Sequence, residues 1–161
     1  MKFTDITLII TAIFTALMAG FFFSYSVSVS LGLGKVSDKE FLNAMQNINR
    51  EVQNPLFFTC FFGAFAMLFI NCFLLYNKPS FLFLLIAMLF YLLGVFLVTV
   101  FVNVPLNNKL DIFDFPSSAE ITAKQMRNAF EERWNFWNNI RTLSSILGLL
   151  FVILTCIQKN K

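Results

Sequence analysis

Four apolar stretches, each about 20 residues long, limit the folds that this chain can adopt. They cover residues 6–28, 55–76, 81–102 and 136–157. At a rise of about 1.5 Å per residue, a helix of that length crosses the ~30 Å hydrocarbon core of a bilayer. Because a segment in lipid must satisfy its own backbone hydrogen bonds, each stretch is expected to be helical. The pattern predicts an all-α transmembrane four-helix bundle, with residues 1–161 forming a single integral membrane domain.

The composition favours a membrane protein over a soluble one. Charged residues make up only 13% of the chain, about half of their usual share in soluble domains. The 23 phenylalanines exceed what a soluble core of this length buries, whereas lipid can surround them. Basic residues are interspersed with acids and the net charge is only +3, so nucleic-acid binding is not expected. The expected partner is the lipid bilayer, and the oligomeric state is left open.

The first stretch has two interpretations. Lys2 followed by an apolar run is typical of a signal peptide, but the run continues through residues 21–23, where a signal peptide turns polar. A retained helix is therefore predicted. Small residues recur along it at every fourth position, namely Ala12, Ala16, Gly20, Ser24 and Ser28. This stripe predicts a face that packs closely against a neighbouring helix, and its two serines are also candidates for the wall of a cavity.

The distribution of positive charge predicts an orientation. The termini and the short 76–80 turn share one side of the membrane and carry Lys2, Lys78, Lys159 and Lys161. In the two long segments on the other side, basic residues are balanced by acids. Because Lys and Arg concentrate in short cytoplasmic loops, both termini are expected in the cytoplasm and the chain in the cytoplasmic (inner) membrane.

The long segments on the other side are predicted to form two amphipathic helices. The sequence from Ser37 to Glu40 fits a capping box, and apolar residues at helical spacing follow it, which predicts a helix over residues 38–53. A second capping box from Ser117 to Glu120 predicts another helix, for which an unbroken continuation into the fourth span is one interpretation. These helices are expected to cover the outer face of the bundle or, alternatively, to lie on lipid headgroups.

Polar clusters border the four spans at positions that an up-and-down bundle brings to one side of the membrane. The clusters are Ser24, Ser26 and Ser28; Asn47, Asn49 and Arg50; Asn103, Pro105 and Asn107; and Trp137, Asn138 and Arg141. The first and third spans end on the side where the second and fourth begin. The four clusters therefore predict a shared site at that face.

Arg141 is the most informative member of these clusters. The apolar run after it has only about 16 residues, roughly 24 Å of helix, so the span needs the preceding turn and Arg141 lies inside the interface. A guanidinium at that depth is costly unless it finds partners or reaches the headgroups. One interpretation is an arginine that snorkels and anchors the span. The favoured one is an arginine turned into the bundle, where it holds an anionic or carbonyl oxygen.

Simpler roles are open for the other clusters, and the residues for common cofactor chemistry are missing. Asn103 and Asn107 also fit a helix-ending turn, and Arg50 with Glu51 fits an ordinary surface charge pair. The chain has no histidine, which argues against histidine-ligated haem, copper or zinc. The cysteines lie within spans and form no CxxC pair, so no disulfide framework is expected. The predicted cofactor set is therefore empty.

The blocks around the clusters carry a family resemblance. They read AGFFFSYSVSV at 19–29, MQNINR at 45–50 followed by NPLF at 54–57, NVPLN at 103–107, and WNFWNNIRT at 134–142. In order and spacing they resemble the anthrone-oxygenase-like integral membrane family. The resemblance implies a four-helix membrane protein, and some fungal members of that family oxidise anthrones to anthraquinones with oxygen, without a metal or flavin.

The resemblance also implies roles for the clustered residues. A cofactor-free oxygenase needs an electron-rich enolate, donors for its oxygen and an apolar pocket that admits oxygen. The candidate catalytic residues are Arg141, Asn103, Asn107 and Asn49. The candidate ligand-binding residues are Arg50, Trp137, Asn138, Ser24 and Phe22. The base is not marked out by position, and Glu51, Asp111 and Glu131 are the candidates.

Two other functions stay open at this point. One is a non-enzymatic membrane protein that binds a small lipophilic ligand or acts as an accessory subunit, and the missing base favours it. A transporter is a weaker third interpretation, because the spans contain no paired broken helices and no intramembrane acid.

Overall fold

The structure is a computed structural model that describes residues 2–159 of the chain, except for the side chain of Lys159. Lys161, one of the charges used above to predict orientation, lies outside this range. The described part forms five helices, namely α1 (Phe3–Leu33), α2 (Asp38–Glu51), α3 (Pro55–Leu74), α4 (Phe81–Asp111) and α5 (Glu120–Lys159). Four of them, α1, α3, α4 and α5, are long and apolar enough to cross a membrane. The predicted all-α bundle is confirmed.

The spanning helices form a closed ring in which α1 packs against α3 and α5, and α4 against the same two. Tyr91 of α4 is 1% exposed, and its hydroxyl donates a 2.8 Å hydrogen bond to the carbonyl of Phe61 in α3. Gly94 of α4 lies directly against Ser144 of α5. Over residues 2–159, three π-helical stretches interrupt the α-helical geometry, at Tyr25–Val29 in α1 and at Phe90–Leu97 and Thr99–Asn103 in α4.

The buried face of α1 differs from the predicted one. Ala16, Gly20 and Ser24 are exposed, and a Cβ added to Gly20 would meet nothing within 4 Å, so the predicted packing stripe is wrong. Thr7, Thr11 and Thr15 are buried instead, and the first two contact Asn71 of α3. The hydroxyl of Thr11 donates to the carbonyl of Thr7 at 2.7 Å and accepts from the amide of Asn71 at 2.9 Å. Because these hydroxyls are satisfied within the bundle, the polar residues can be buried and the small ones left outside.

The N-termini of α2 and α5 differ in how their first turns are hydrogen-bonded. At α2 the predicted capping box is confirmed, since the Ser37 hydroxyl accepts from the backbone N–H of Glu40 and the Glu40 carboxylate accepts from that of Ser37. The predicted box at Ser117 is wrong. The hydroxyl of Ser118 donates to the carbonyl of Phe115 at 2.8 Å within the preceding turn, and α5 begins at Glu120. From there α5 continues unbroken through the fourth span.

The end of the bundle where α1 and α4 finish and α3 begins, here called the polar end, is covered by α2 and the first turns of α5. The side-chain amide of Gln46 in α2 donates to the carbonyls of Leu110 and Phe113, both at 2.8 Å. Arg127 of α5 pairs with Asp38 at 3.1 Å and donates to the carbonyl of Val36 at 2.8 Å. These contacts hold α2 against the bundle rather than apart from it.

Candidate functional site

A cavity of about 280 Å³ lies inside the polar end. Five of the residues singled out in the sequence line it, and they come from all the helices except α3, which supplies phenylalanines. They are Phe22, Asn49, Asn103, Asn107 and Arg141. At least one residue from each of three polar clusters therefore lines this cavity, together with Phe22 of α1.

Arg141 is turned into the bundle and is only 6% exposed. Its guanidinium lies over the ring of Phe22, 4.7 Å from the centroid, and 5.2 Å from that of Trp134. It donates to the side-chain oxygen of Asn138 at 3.0 Å, and it lies 3.5 Å from the hydroxyl of Thr99. Cation–π contacts stabilise a desolvated charge by about 2 kcal/mol, less than the cost of burying it.

The charge on Arg141 has no acidic partner within the described residues, whose ion pairs all involve other cations. Its Nε is buried and makes no hydrogen bond to them. A buried cation in this situation favours an anion beside it. The guanidinium therefore provides a fixed, unneutralised positive charge at the wall of the cavity.

Asn103 and Asn49 add unpaired amides. Asn103 is 1% exposed, and neither its Nδ2 nor its Oδ1 has a hydrogen-bond partner among the described residues. The Nδ2 of Asn49 is in the same state. An unpaired buried polar group costs about 1–3 kcal/mol, so such groups in one cavity favour a bound water or a polar ligand atom beside them.

Asn138 and Asn107 hold the aromatic and cationic groups in place. The amide of Asn138 donates to the carbonyl of Phe22 at 3.2 Å and to the Ser26 hydroxyl at 3.0 Å, while its oxygen accepts from Arg141. The side-chain oxygen of Asn107 accepts from the indole N–H of Trp134 at 2.9 Å. Asn138 itself is fully buried behind the cavity wall, where it contacts Arg141 rather than the cavity.

Three predicted ligand-binding residues lie elsewhere. Ser24 is exposed, and its hydroxyl donates to the carbonyl of Phe21 in the same helix at 2.8 Å. Arg50 forms a 2.6 Å ion pair with Asp111 at the surface. Trp137 is half-buried and stacks edge-on against its neighbour Phe136, with ring centroids 5.4 Å apart. Their positions on the outer faces of α1, α2 and α5 keep all three away from the cavity.

Comparison with known proteins identifies the family of the chain. A family model described as anthrone oxygenase matches residues 45–151, which is more than half of the chain. The chain belongs to the anthrone oxygenase family. No curated protein and no solved structure matches it. The part matched by the anthrone oxygenase model contains Asn49, Asn103 and Arg141, whereas the contribution of α1 to the cavity lies outside it.

The acids considered as bases for an anthrone oxygenase reaction do not reach the cavity. Asp111 and Glu131 are paired, with Arg50 and Arg127 respectively, each at 2.6 Å. Glu51 is exposed and faces a separate groove. Within the described part of the chain, no carboxylate lines the cavity.

Sequence reasoning missed Tyr25. It is 8% exposed, lines the cavity, lies within electrostatic range of Arg141 and packs on Trp134 with ring centroids 5.3 Å apart. Besides Arg141 it is the only ionisable side chain among the described residues of the cavity wall. Its spacing of three from Phe22, which places both on one helical face, is the signal that could have identified it.

Proposed function

We propose that this member of the anthrone oxygenase family is a cofactor-independent oxygenase that acts on an enolisable, lipophilic aromatic ketone. The observation that carries the proposal is Arg141, a buried guanidinium without an acidic partner in the described residues, beside the unpaired amide of Asn103. The family relationship supports the reaction class, and the apolar lining of the cavity supports the substrate class.

The charge on Arg141 suits a reaction that creates an anion. A neutral ketone gains little from a guanidinium, whereas the enolate formed from it carries negative charge on oxygen. Stabilisation that grows as the charge develops lowers the barrier rather than only tightening binding. Arg141 and the amides of Asn103 and Asn49 are the donors to that oxygen in this proposal.

Tyr25 is the proposed proton acceptor in its phenolate form, which arises when the phenol loses its proton to solvent and which the positive charge of Arg141 stabilises. In the first step it takes a proton from the activated methylene of the ketone, and the electron pair moves to the enolate oxygen. The resulting carbanion bonds to O₂, and the peroxide formed takes back the proton. Loss of water from the hydroperoxide then leaves a second carbonyl, so that each substrate consumes one O₂ and yields one water.

The remaining wall suits the oxygen substrate. Rings from α3, including Phe58, Phe61 and Phe62, line the cavity. Such surfaces do not hydrogen-bond water, and they admit a small apolar gas. Excluding water also strengthens the interaction between the enolate and Arg141.

The test is oxygen consumption by the purified protein in lipid nanodiscs with anthrone as substrate. We expect stoichiometric formation of anthraquinone. Arg141→Gln is expected to lower kcat by about 10²–10³-fold, which is typical for loss of an oxyanion donor. Arg50→Gln, which removes an arginine from the surface, is the matched control and is expected to keep the parent rate.

Tyr25→Phe separates chemistry from binding. Because the ring is retained, KM is expected to stay within about threefold while kcat falls by about 10²–10⁴-fold, the range for loss of general base catalysis. No turnover by folded parent protein across a panel of enolisable aromatic ketones would refute the enzymatic proposal. A kcat unchanged by Tyr25→Phe would remove Tyr25 from it.

A non-enzymatic role in binding a small lipophilic ligand is the second candidate. The observation in its favour is that, among the described residues, the cavity wall contains no carboxylate to act as a base. Saturable binding of anthrone that Asn103→Ala weakens, without oxygen consumption by either protein, would support this role.

The proposal places the polar end on the non-cytoplasmic side of the inner membrane, as the charge distribution predicts. Single cysteines at Lys35 and Lys78, in a background without the native cysteines, test it in intact spheroplasts. An impermeant maleimide is expected to label the cysteine at position 35 and to leave the one at position 78 unlabelled. The reverse pattern would invert the orientation.

A further inference from the structure

A second cavity lies beside the first and opens to the flank of the bundle. It is a groove of about 580 Å³ between α1 and α3. Its lower part is formed by Leu17, Met18 and Cys60, and Leu56 forms one edge. Leu17 and Leu56 are 53% and 75% exposed on a surface that a bilayer would cover. The polar side chains of this groove come from its upper rim, next to α2.

The groove and the inner cavity are separated by one layer of side chains. Phe21, Tyr25, Val52 and Phe57 line both spaces. The rings of Phe21 and Phe57 touch across this layer, with centroids 5.3 Å apart and an interplanar angle of 56°. Rotation of such side chains needs no movement of the backbone, so the two spaces can join without unfolding the bundle.

The sizes of the two spaces complement each other. Pockets for drug-sized ligands measure about 300–1,000 Å³, and the inner cavity, at about 280 Å³, falls just below that range. It accommodates a compact ketone but not a large substituent as well. From Tyr25 at the shared layer to Leu17 at the lower end, α1 rises by roughly 12 Å, which gives the groove the length of a medium alkyl chain.

We propose that the groove binds the apolar substituent of a substrate whose ketone end lies in the inner cavity. The substrate class is then an aromatic ketone with an extended alkyl or aryl group, taken up sideways from the bilayer. The identity of the ketone end rests on the function proposed above. The apolar lower part of the groove and its shared wall with the Arg141 cavity specify this occupant, because a phospholipid tail carries no ketone for that cavity to bind.

The chain offers a direct reporter and a matched pair of variants. Trp134 lines the inner cavity and is 5% exposed, so in a Trp137→Phe protein its fluorescence reports on ligands that enter there. Leu17 lines the groove, and Ile13, one turn below it on the same face, does not. Their exposures are 53% and 52%, so glutamine at either position meets the same surroundings apart from the groove.

The experiment measures quenching of Trp134 in nanodiscs by acetophenone, octanophenone and dodecanophenone. Ketone concentrations are expressed as mole fractions in the bilayer, which removes differences in partitioning. We expect the mole fraction for half-quenching to be at least tenfold lower for dodecanophenone than for acetophenone. Leu17→Gln is expected to reduce that gain at least fivefold, and Ile13→Gln to preserve it. If Leu17→Gln does not fold, Leu56→Gln at the edge of the groove replaces it.

Each outcome bears on the inference. Equal quenching by all three ketones, or an equal response to Leu17→Gln and Ile13→Gln, would overturn the groove and leave the proposed function intact. Absence of quenching by every ketone would overturn the groove, and only with no turnover across the panel of enolisable aromatic ketones would it overturn the proposed function as well. The expected dependence on chain length, together with no oxygen consumption across the panel of enolisable aromatic ketones, would support the groove and refute the enzymatic function.

Discussion

The contact between Gly94 and Ser144 makes the packing of α4 on α5 sensitive to a single methyl group. A Cβ added to Gly94 would overlap both the Oγ and the Cβ of Ser144. Rotation about χ1 can move the Oγ, but the Cβ is fixed by the backbone, so Gly94→Ala requires the two helices to move apart. Overpacking of this kind costs about 1–3 kcal/mol. Alanine regains about 1 kcal/mol of helix propensity, which leaves an expected net loss of up to about 2 kcal/mol relative to the parent and of about 1–3 kcal/mol relative to an alanine that meets no neighbour.

Two further variants make this expectation specific. Gly20→Ala is the control, since a Cβ there meets nothing within 4 Å, and it is expected to be neutral or to stabilise by up to about 1 kcal/mol. Ser144→Gly in the Gly94→Ala protein moves the side chain from one helix to the other and is expected to restore most of the loss. Because Ser144 follows Arg141 by three residues, turnover of anthrone is expected to fall with stability in Gly94→Ala and to recover in the double variant.

The assay is reversible unfolding in mixed micelles with increasing SDS, followed by far-ultraviolet circular dichroism and tryptophan fluorescence. The reasoning fails if Gly94→Ala is as stable as Gly20→Ala. It also fails if Ser144→Gly gives no rescue, because the loss would then come from something other than the overlap.

Three further substitutions are expected to change the stability of the protein through interactions in other parts of the fold. Arg127→Met leaves Asp38 and Glu131 without their cation and is expected to cost about 2–3 kcal/mol, measured by the same unfolding assay, with Arg127→Lys intermediate. Tyr91→Phe removes one buried hydrogen bond and is expected to cost about 1 kcal/mol, whereas a neutral result would mean that the bond contributes nothing net. Hydrogen bonds from the N-cap serine hold the pKa of the Glu40 carboxyl below its ordinary value. The stabilisation that the ionised Glu40 gives the folded state is therefore complete above the pKa of the unfolded state and is lost as pH falls through the pKa of the folded state. Glu40→Gln is expected to flatten that part of the pH–stability curve, and an unchanged curve would contradict this.

The parts of the fold that depend on local chemistry were predictable. Hydrocarbon thickness sets the length of a spanning helix, and lipid requires helical hydrogen bonding, so the four spans followed from composition alone. The capping box at Ser37 is likewise a local device, and it formed as predicted. At Ser117 the same pattern failed because the neighbouring serine bonds to its own turn, a competition that the motif does not reveal.

Which face of α1 is buried depends on the helices that pack against it. A stripe of small residues and a row of threonines both fit helical spacing, and only contact with Asn71 of α3 favours the threonines. Similarly, Ser24 and Trp137 belong to the right clusters but lie on the wrong faces. Beyond Ser24, the π-helical turn Tyr25–Val29 shifts the helical phase of the residues that follow, which spacing rules for a regular α-helix do not anticipate.

The sequence by itself determined the class of the protein, the number and approximate position of its spans and the side of the bundle on which polar residues gather. Those properties follow from composition and from patterns of residues that are close together in the sequence. Only the tertiary structure decided that Arg141 lies between Phe22 and Trp134 with no acidic partner among residues 2–159, and that the buried Asn103 finds no hydrogen-bond partner among the same residues. It also placed Tyr25 in the cavity wall and joined the groove to that wall. Burial and pairing depend on residues far apart in the chain, so they exist only once the helices have packed.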